Sequence, residues 1–468
     1  MLPRVMGLTT AIALVVGGTI GTGVFKKPHI VAKELGAFDW AIFAWIICGV
    51  LAFFGTMALA ELATLFPQAG GNYVYLKRGY GPMVGFLWGW IEFWVMRTGS
   101  IAALAWLATE ALLNEFLKLD VDAFGLLMGS LGVVIFLTII NAVGLSWGGE
   151  FQRITTWLKI GTLLIIMVLP FVLGQAEPSL LAVEMPVKSN RIVGLAAAML
   201  AILWAYKGWA DLGAVAEDMK EPQRNIPRGF GYGIAIIAGL YIGANIAYAL
   251  VLTPEQMANL PNSKIVASAF VEKLLLPFGG NVSQWGGRIV SLAIFVSAIG
   301  AMNASLLVGP RGYFALARDG LFPQWMSDTS GKETTPLVAI LLQSLWTCLL
   351  IIGAELARRF QYVVDFDKNP FDTLTDYVVF GAVIFETLAV SAVFRMRFLE
   401  PNLPRPFRCW GYPWAPILHV LAMAFVLEET IRTQWQQSSV GLGFIVLGAL
   451  VYYLVFGRRK TGPVAITT

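Results

Sequence analysis

Val16-Gly17-Gly18-Thr19-Ile20-Gly21-Thr22-Gly23-Val24-Phe25 places four glycines inside an apolar segment running roughly over 7–31. Glycine in a helix interior costs up to about 1 kcal/mol relative to alanine, so this stretch makes a poor continuous span. Two readings stand: an unwound stretch between two half-helices near the membrane midplane, or an unbroken helix that packs closely through small residues. The segment does not read as a cleaved leader, because its apolar run meets Lys26 and Lys27 without an A-x-A-type site. A G-x-G-x-x-G nucleotide fingerprint also fails: Gly21 and Gly23 call for a third glycine at position 26, where Lys26 stands, and no strand-helix-strand pattern surrounds it.

The rest of the 468 residues gives this stretch its solvent. Apolar residues make up 57% and charged residues 13% of the chain, with mean hydropathy +0.71. Soluble domains run near ~45–50% apolar and ~25% charged, so a soluble enzyme is excluded and the lipid bilayer is the expected solvent. A spanning helix needs about 20 mainly apolar residues. Twelve segments qualify, at roughly 7–31, 40–66, 82–114, 124–145, 153–174, 192–216, 229–252, 287–318, 336–355, 373–396, 414–433 and 439–457. The expected architecture is a single all-α transmembrane domain over 1–457, followed by a short cytoplasmic tail at 458–468.

An even number of spans puts both termini on one side, and the positive-inside rule makes that side cytoplasmic. Lys77/Arg78, Lys220/Arg224/Arg228, Arg395/Arg397/Arg405/Arg408 and Arg458/Arg459/Lys460 carry the bias, against Lys118, Lys188, Lys264, Arg358 and Arg359 on the other face. The net charge of +4, without a basic run, argues against a nucleic-acid partner. Cys48, Cys348 and Cys409 are far apart, and only His29 and His419 are present. No disulfide framework, metal site, cofactor or Ser-His-Asp centre is indicated.

The sixth segment carries the second signal. It reads Trp204-Ala205-Tyr206-Lys207-Gly208-Trp209-Ala210-Asp211-Leu212-Gly213, with a lysine, an aspartate and two glycines inside an apolar span. Ionisable groups at that depth usually mark a substrate or ion route. Interrupted segments at the same place in two groups of five spans are the pattern of an inverted-repeat transporter, with unwound backbone facing a central site. Amides at the start of a half-helix, aided by the Thr22 hydroxyl, suit a carboxylate. Carbonyls around Thr19 and from Trp204 to Tyr206 suit an ammonium group. A site that binds both fits an α-amino acid.

These residues resemble the amino acid-polyamine-organocation transporters, and within them the prokaryotic L-type amino acid transporter branch. Gly18-Thr19-Ile20-Gly21-Thr22-Gly23-Val24-Phe25 is similar to that branch's G-T-I-I-G-S-G-I-F, shifted by one at its start. Glu61-Leu62 with Gly70-Gly71-Asn72-Tyr73, Glu217-Asp218 through Pro222-Gln223-Arg224-Asn225-Ile226-Pro227-Arg228, and Arg318-Asp319-Gly320-Leu321-Phe322-Pro323 follow in family order. Leu403-Pro404-Arg405-Pro406-Phe407-Arg408 with Trp410-Gly411-Tyr412-Pro413 completes the series.

The resemblance implies a LeuT-type fold of 5+5 inverted helices, with repeats at about 7–174 and 192–396 and two extra helices at about 414–457. It implies alternating access, in a bacterial inner membrane, by a sodium-independent exchanger of small or medium neutral L-amino acids. Carried over, Thr22 and Gly23 would hold the substrate carboxylate, with Gly21 beside them. Backbone at Thr19, Ile20, Trp204 and Tyr206 would hold the amine, and Ala205, Lys207 and Gly208 complete the second unwound stretch. Trp204 would gate the site, while Ser100 and Phe380 are side-chain pocket candidates. Animal relatives join a heavy subunit through a cysteine after span three; Asn114 to Phe124 has none, so no such partner is expected.

The intramembrane charges have competing explanations. Lys159, early in span five, either snorkels to the headgroups or, as the resemblance implies, takes the place of sodium between helices one and eight. Lys207 departs from the Asp or Gly that many relatives carry. An i, i+4 pair with Asp211 is the expected arrangement, with direct contact to an anionic substrate the alternative. Glu92 and Arg97 are five residues apart, which does not align on one α-helical face, so they pair imperfectly or find partners on neighbouring helices. Arg311 is expected near the cytoplasmic exit, and Asn303 and Ser305 either bond across helices or line the route. A proton-coupled symporter and a non-transporting sensor of the same fold are the alternatives to exchange. A membrane enzyme is the least supported class, because neither a His/Cys constellation nor paired carboxylates converge.

Overall fold

The computed structural model describes residue 4, 6–187, 190–261, 265–329, 336–359, 370–433 and 435–456. Lys188, Lys264 and the tail cations Arg458, Arg459 and Lys460 lie outside the described residues. Regular structure among the described residues is helical, apart from one isolated bridge between Met6 and Met219.

The first segment is broken as the glycines suggest. Helix α1 (Leu8–Thr19) stops, Ile20 to Thr22 leave the helix, and α2 (Gly23–Lys26) leads through Lys27 into α3 (Pro28–Leu35). The second segment is α4 (Phe38–Leu65), followed by the connecting helix α5 (Asn72–Tyr80). The third is divided: α6 (Pro82–Ile91), a π-helical turn at Glu92–Met96, α7 (Arg97–Glu110) and a second π-helical turn at Ala111–Phe116. Next come α8 (Ala123–Val143) and α9 (Leu145–Val172).

The sixth segment is broken too. Helix α10 (Arg191–Tyr206) ends before Lys207 and Gly208, and a tighter 3-10 helix resumes over Trp209–Asp218. Then α11 (Pro222–Ala249) crosses back, the short helices α12 (Pro254–Ala258) and α13 (Val266–Leu275) form a cap, and α14 (Gly280–Arg318) runs for 39 residues. The chain finishes with α15 (Leu337–Arg359), α16 (Pro370–Leu399), α17 (Trp414–Thr433) and α18 (Trp435–Phe456).

Among the described residues, nine helices are long and apolar enough to cross a membrane. Of the twelve expected segments, the first and third fall outside that count because breaks and π turns divide them into shorter pieces, and the tenth, in α16, is not among the nine either. Packing is that of a membrane bundle. Helix α1 lies in the middle against α11, α9 and α14, while Trp147, Trp157, Leu158 and Ile165 of α9 and most of α18 face outward. Lipid tails solvate leucine as well as a protein core does, so outward apolar faces need no cover, and close packing with interhelical hydrogen bonds holds the bundle together. Asn303 is such a bond: its amide donates to Gly148 O and Gln152 Oε1 at 3.0 Å each, and its oxygen accepts from Asn141 at 2.8 Å. That settles Asn303 as a cross-helix tie between α14, α8 and α9.

Candidate functional site

The two unwound stretches meet. A Cβ placed on Gly23 would lie 2.5 Å from Ala205 Cα, and one on Gly208 would lie 2.9 Å from both C and O of Gly18. Gly208 also has φ +113°, a left-handed conformation that only glycine adopts without strain. The backbones of helices one and six therefore touch directly, and both contacts depend on the missing side chain.

Breaking a helix leaves amides and carbonyls without their usual partners, and in a membrane each must find another. At the first break Gly21 N–H turns to Thr19 O at 2.8 Å, which deprives the Gly17 carbonyl of its ordinary helical donor. Lys159 replaces it: its ammonium donates to Gly17 O at 2.7 Å, and the side chain is buried. A Cβ on Gly300 of α14 would lie 2.9 Å from Lys159 Nζ. Lys159 thus stands between α1 and α14 and does not snorkel. Ser297 of α14 approaches Gly21 O at 2.8 Å and Ile20 O at 3.3 Å. The Tyr241 hydroxyl of α11 lies 2.8 Å from Ala205 O and 3.1 Å from Thr19 O, so one donor ties both breaks together.

Polar groups remain free in the same place. The buried hydroxyls of Thr19 and Thr22 have no hydrogen-bond partner among the described residues. Of the amides that open α2, those of Phe25 and Lys26 bond back to Thr22 O at 3.2 and 3.1 Å, and the first ones lack an intrahelical partner, as at every helix start. Ile20, Gly21, Gly23, Trp204, Ala205 and Tyr206 are all buried around them. Tyr206 directs its ring to Trp45 and Tyr241, with centroids 6.3 and 5.1 Å away, so it offers backbone here and packs its side chain elsewhere. Ser100 is buried on α7 one turn before Leu104, whose side chain is the neighbour of Gly21. Phe380 is buried, and its ring meets Gly441 of α18.

The charges are arranged differently from the sequence expectation. Asp211 is not paired with Lys207. Its two oxygens take the guanidinium of Arg97 at 2.8 Å each, a bidentate pair. The helix is interrupted between Lys207 and Asp211, so the i, i+4 spacing no longer puts them on one face. Arg97 also holds Glu92, with Nε–Oε1 at 2.7 Å. The π-helical turn at Glu92–Met96 brings residues five apart onto one face, which an α-helical reading of the spacing misses. Lys207 instead shares two cavities with Glu386 of α16. Arg311 pairs with Asp218, Nε–Oδ2 2.6 Å, at the end of the sixth segment.

Sequence reasoning passed over Tyr241, Ser297 and Glu386. Glu386 carried a signal, as an acid inside the tenth apolar segment; a tyrosine and a serine among many did not.

Residues 6–456 match the family described as amino acid permease. The chain is similar to the serine/threonine exchanger SteT of Bacillus subtilis, 31% identical with 98% of each chain covered. It is 28% identical to the large neutral amino acids transporter small subunit 2 of Mus musculus over 98% of this chain and 82% of that one. The human cystine/glutamate transporter is 26% identical over 97% of this chain and 85% of its own length.

Proposed function

The chain belongs to the amino acid permease family, and from that premise we propose that it is a secondary transporter that exchanges small or medium neutral L-amino acids across the bacterial inner membrane without sodium. The observation that carries this reading is the meeting of the two unwound stretches beside the buried Thr19 and Thr22 hydroxyls, which have no partner among the described residues. Amides at the start of α2 and the Thr22 hydroxyl take the substrate carboxylate. Carbonyls at Ile20, Trp204 and Tyr206 take the ammonium, since a carbonyl oxygen accepts two hydrogen bonds, whereas Thr19 O already accepts from Gly21 N–H and the Tyr241 hydroxyl. Trp204 closes over the bound molecule, and Ser100 borders its side chain.

Lys159 supports sodium independence. Its ammonium occupies the gap between α1 and α14 and supplies there the positive charge that a bound cation would bring. In this proposal the helices form twelve spans in two inverted repeats of five plus two, with both termini cytoplasmic. The chain works without a disulfide-linked heavy subunit. The relatives named above are exchangers and transporters, and the activity proposed is transport and not catalysis.

Uptake of a labelled L-amino acid panel into sodium-free proteoliposomes tests it. Acceleration by unlabelled amino acid inside the vesicles is the expected result. Uptake that requires sodium, or that ignores the internal pool, would overturn the exchange reading.

A further inference from the structure

Beside the unwound stretch of the sixth segment, five ionisable groups line one cavity: Glu92, Arg97, Lys207, Asp211 and Glu386. Arg97 is fully engaged by Glu92 and Asp211. Lys207 and Glu386 take part in no ion pair or hydrogen bond among the described residues. They face each other across two cavities, one of which also meets His419 of α17 and Thr387. The Thr387 hydroxyl is buried without a partner among the described residues. Tyr313 of α14 packs close by against Phe93.

Three acids stand against two bases in this region, so with every group ionised it holds an excess negative charge. An unbalanced charge inside the membrane is expensive, and carboxylates that share a site do not all ionise readily. Lys207 is the one base of the five that no carboxylate already holds.

We propose that Glu386 is a proton-binding group that controls the release of the sixth segment. With the proton on, Glu386 is neutral, the five groups balance, and Lys207 leaves the unwound stretch unrestrained. When the O–H bond breaks and the proton passes to solvent, the carboxylate draws Lys207 into an ion pair that ties the break to α16. Exchange is therefore faster at low pH than at high pH. His419 lines the same cavity as Lys207 and Glu386, its Nδ1 on Leu51 O at 2.7 Å and its Nε2 the atom that would take a proton; a pH profile that His419 carried would persist in Glu386→Gln. The Glu92–Arg97–Asp211 group is internally bonded in either state.

The rate prediction rests on the exchange reading above; the protonation itself does not. In proteoliposomes at equal internal and external pH, wild-type exchange falls roughly fivefold from about pH 5 to about pH 9, as expected for one titrating group. Glu386→Gln holds the low-pH rate throughout. An unchanged pH profile in the variant, or a variant inactive at every pH, would overturn the proposal. Infrared difference spectra of the purified protein between the same pH limits report the carboxyl whether or not the chain transports. A protonated-carboxyl band in the wild type that Glu386→Gln removes is expected, and its persistence in the variant would overturn the assignment.

Discussion

The break in the first segment covers Ile20 to Thr22 and holds no charged residue, whereas the break in the sixth is two residues long, Lys207 and Gly208, and adjoins a buried group of acids and bases. Neighbouring helices restrain the first by hydrogen bonds to backbone carbonyls, from Lys159, Ser297 and Tyr241. The second shares the Tyr241 hydroxyl through Ala205 O and is restrained besides through Arg97, which grips Asp211 in the 3-10 helix just after the break. Two openings at matching ordinal places thus differ in what holds them. An uncharged break exposes backbone that every α-amino acid can use, and a charged break can be held or released by proton and ion-pair chemistry.

Substitutions can break or sharpen this contrast. The largest effect is expected from Gly208→Ala, because a left-handed backbone costs a side chain of order 1–3 kcal/mol and the new Cβ meets Gly18 backbone that cannot move aside. Exchange falls to background and thermal stability in detergent drops by several degrees. Gly21→Ala is the control, since its Cβ would find its nearest neighbours at 3.6 and 3.7 Å. It keeps the wild-type melting temperature, and equal stability losses in the two variants would erase the distinction between the breaks.

Lys159→Ala comes next. It leaves the Gly17 carbonyl without a donor, a penalty of about 1–3 kcal/mol for a buried group, and exchange drops roughly tenfold or more in the same sodium-free vesicle assay. Tyr241→Phe removes one shared hydroxyl, worth about 0.5–1.5 kcal/mol, and slows exchange a few-fold with the substrate order unchanged. The smallest effect concerns Lys207→Ala measured by competition between acidic and neutral substrates. The Lys207 side chain faces Glu386, so the ratio of the two stays within about twofold, roughly 0.4 kcal/mol. A larger shift would return Lys207 to direct substrate contact.

Both breaks are legible in the amino-acid sequence, because glycine clusters and intramembrane ions are local along the chain and physically costly where they stand. Pairing of the ions is not legible there. Glu92 and Arg97 look misaligned until a π turn changes the number of residues per turn, and Lys207 and Asp211 look paired only if the helix between them is taken as continuous. Phe380 illustrates a related limit: its place in the tenth segment is readable, but its ring meets Gly441 on a helix far away in the chain.

The sequence by itself determined that the chain lives in a membrane, where it is broken and which backbone those breaks expose. Composition and helix propensity act residue by residue and need no knowledge of neighbours. Only the tertiary structure decided which side chains satisfy the exposed groups. Lys159 to Gly17, Tyr241 to Thr19 and Ala205, and Arg97 to Asp211 span 142, 222, 36 and 114 residues of chain. Such partners are chosen by distance and direction in the folded bundle, because a hydrogen bond or ion pair acts over a few ångströms and is blind to separation along the chain.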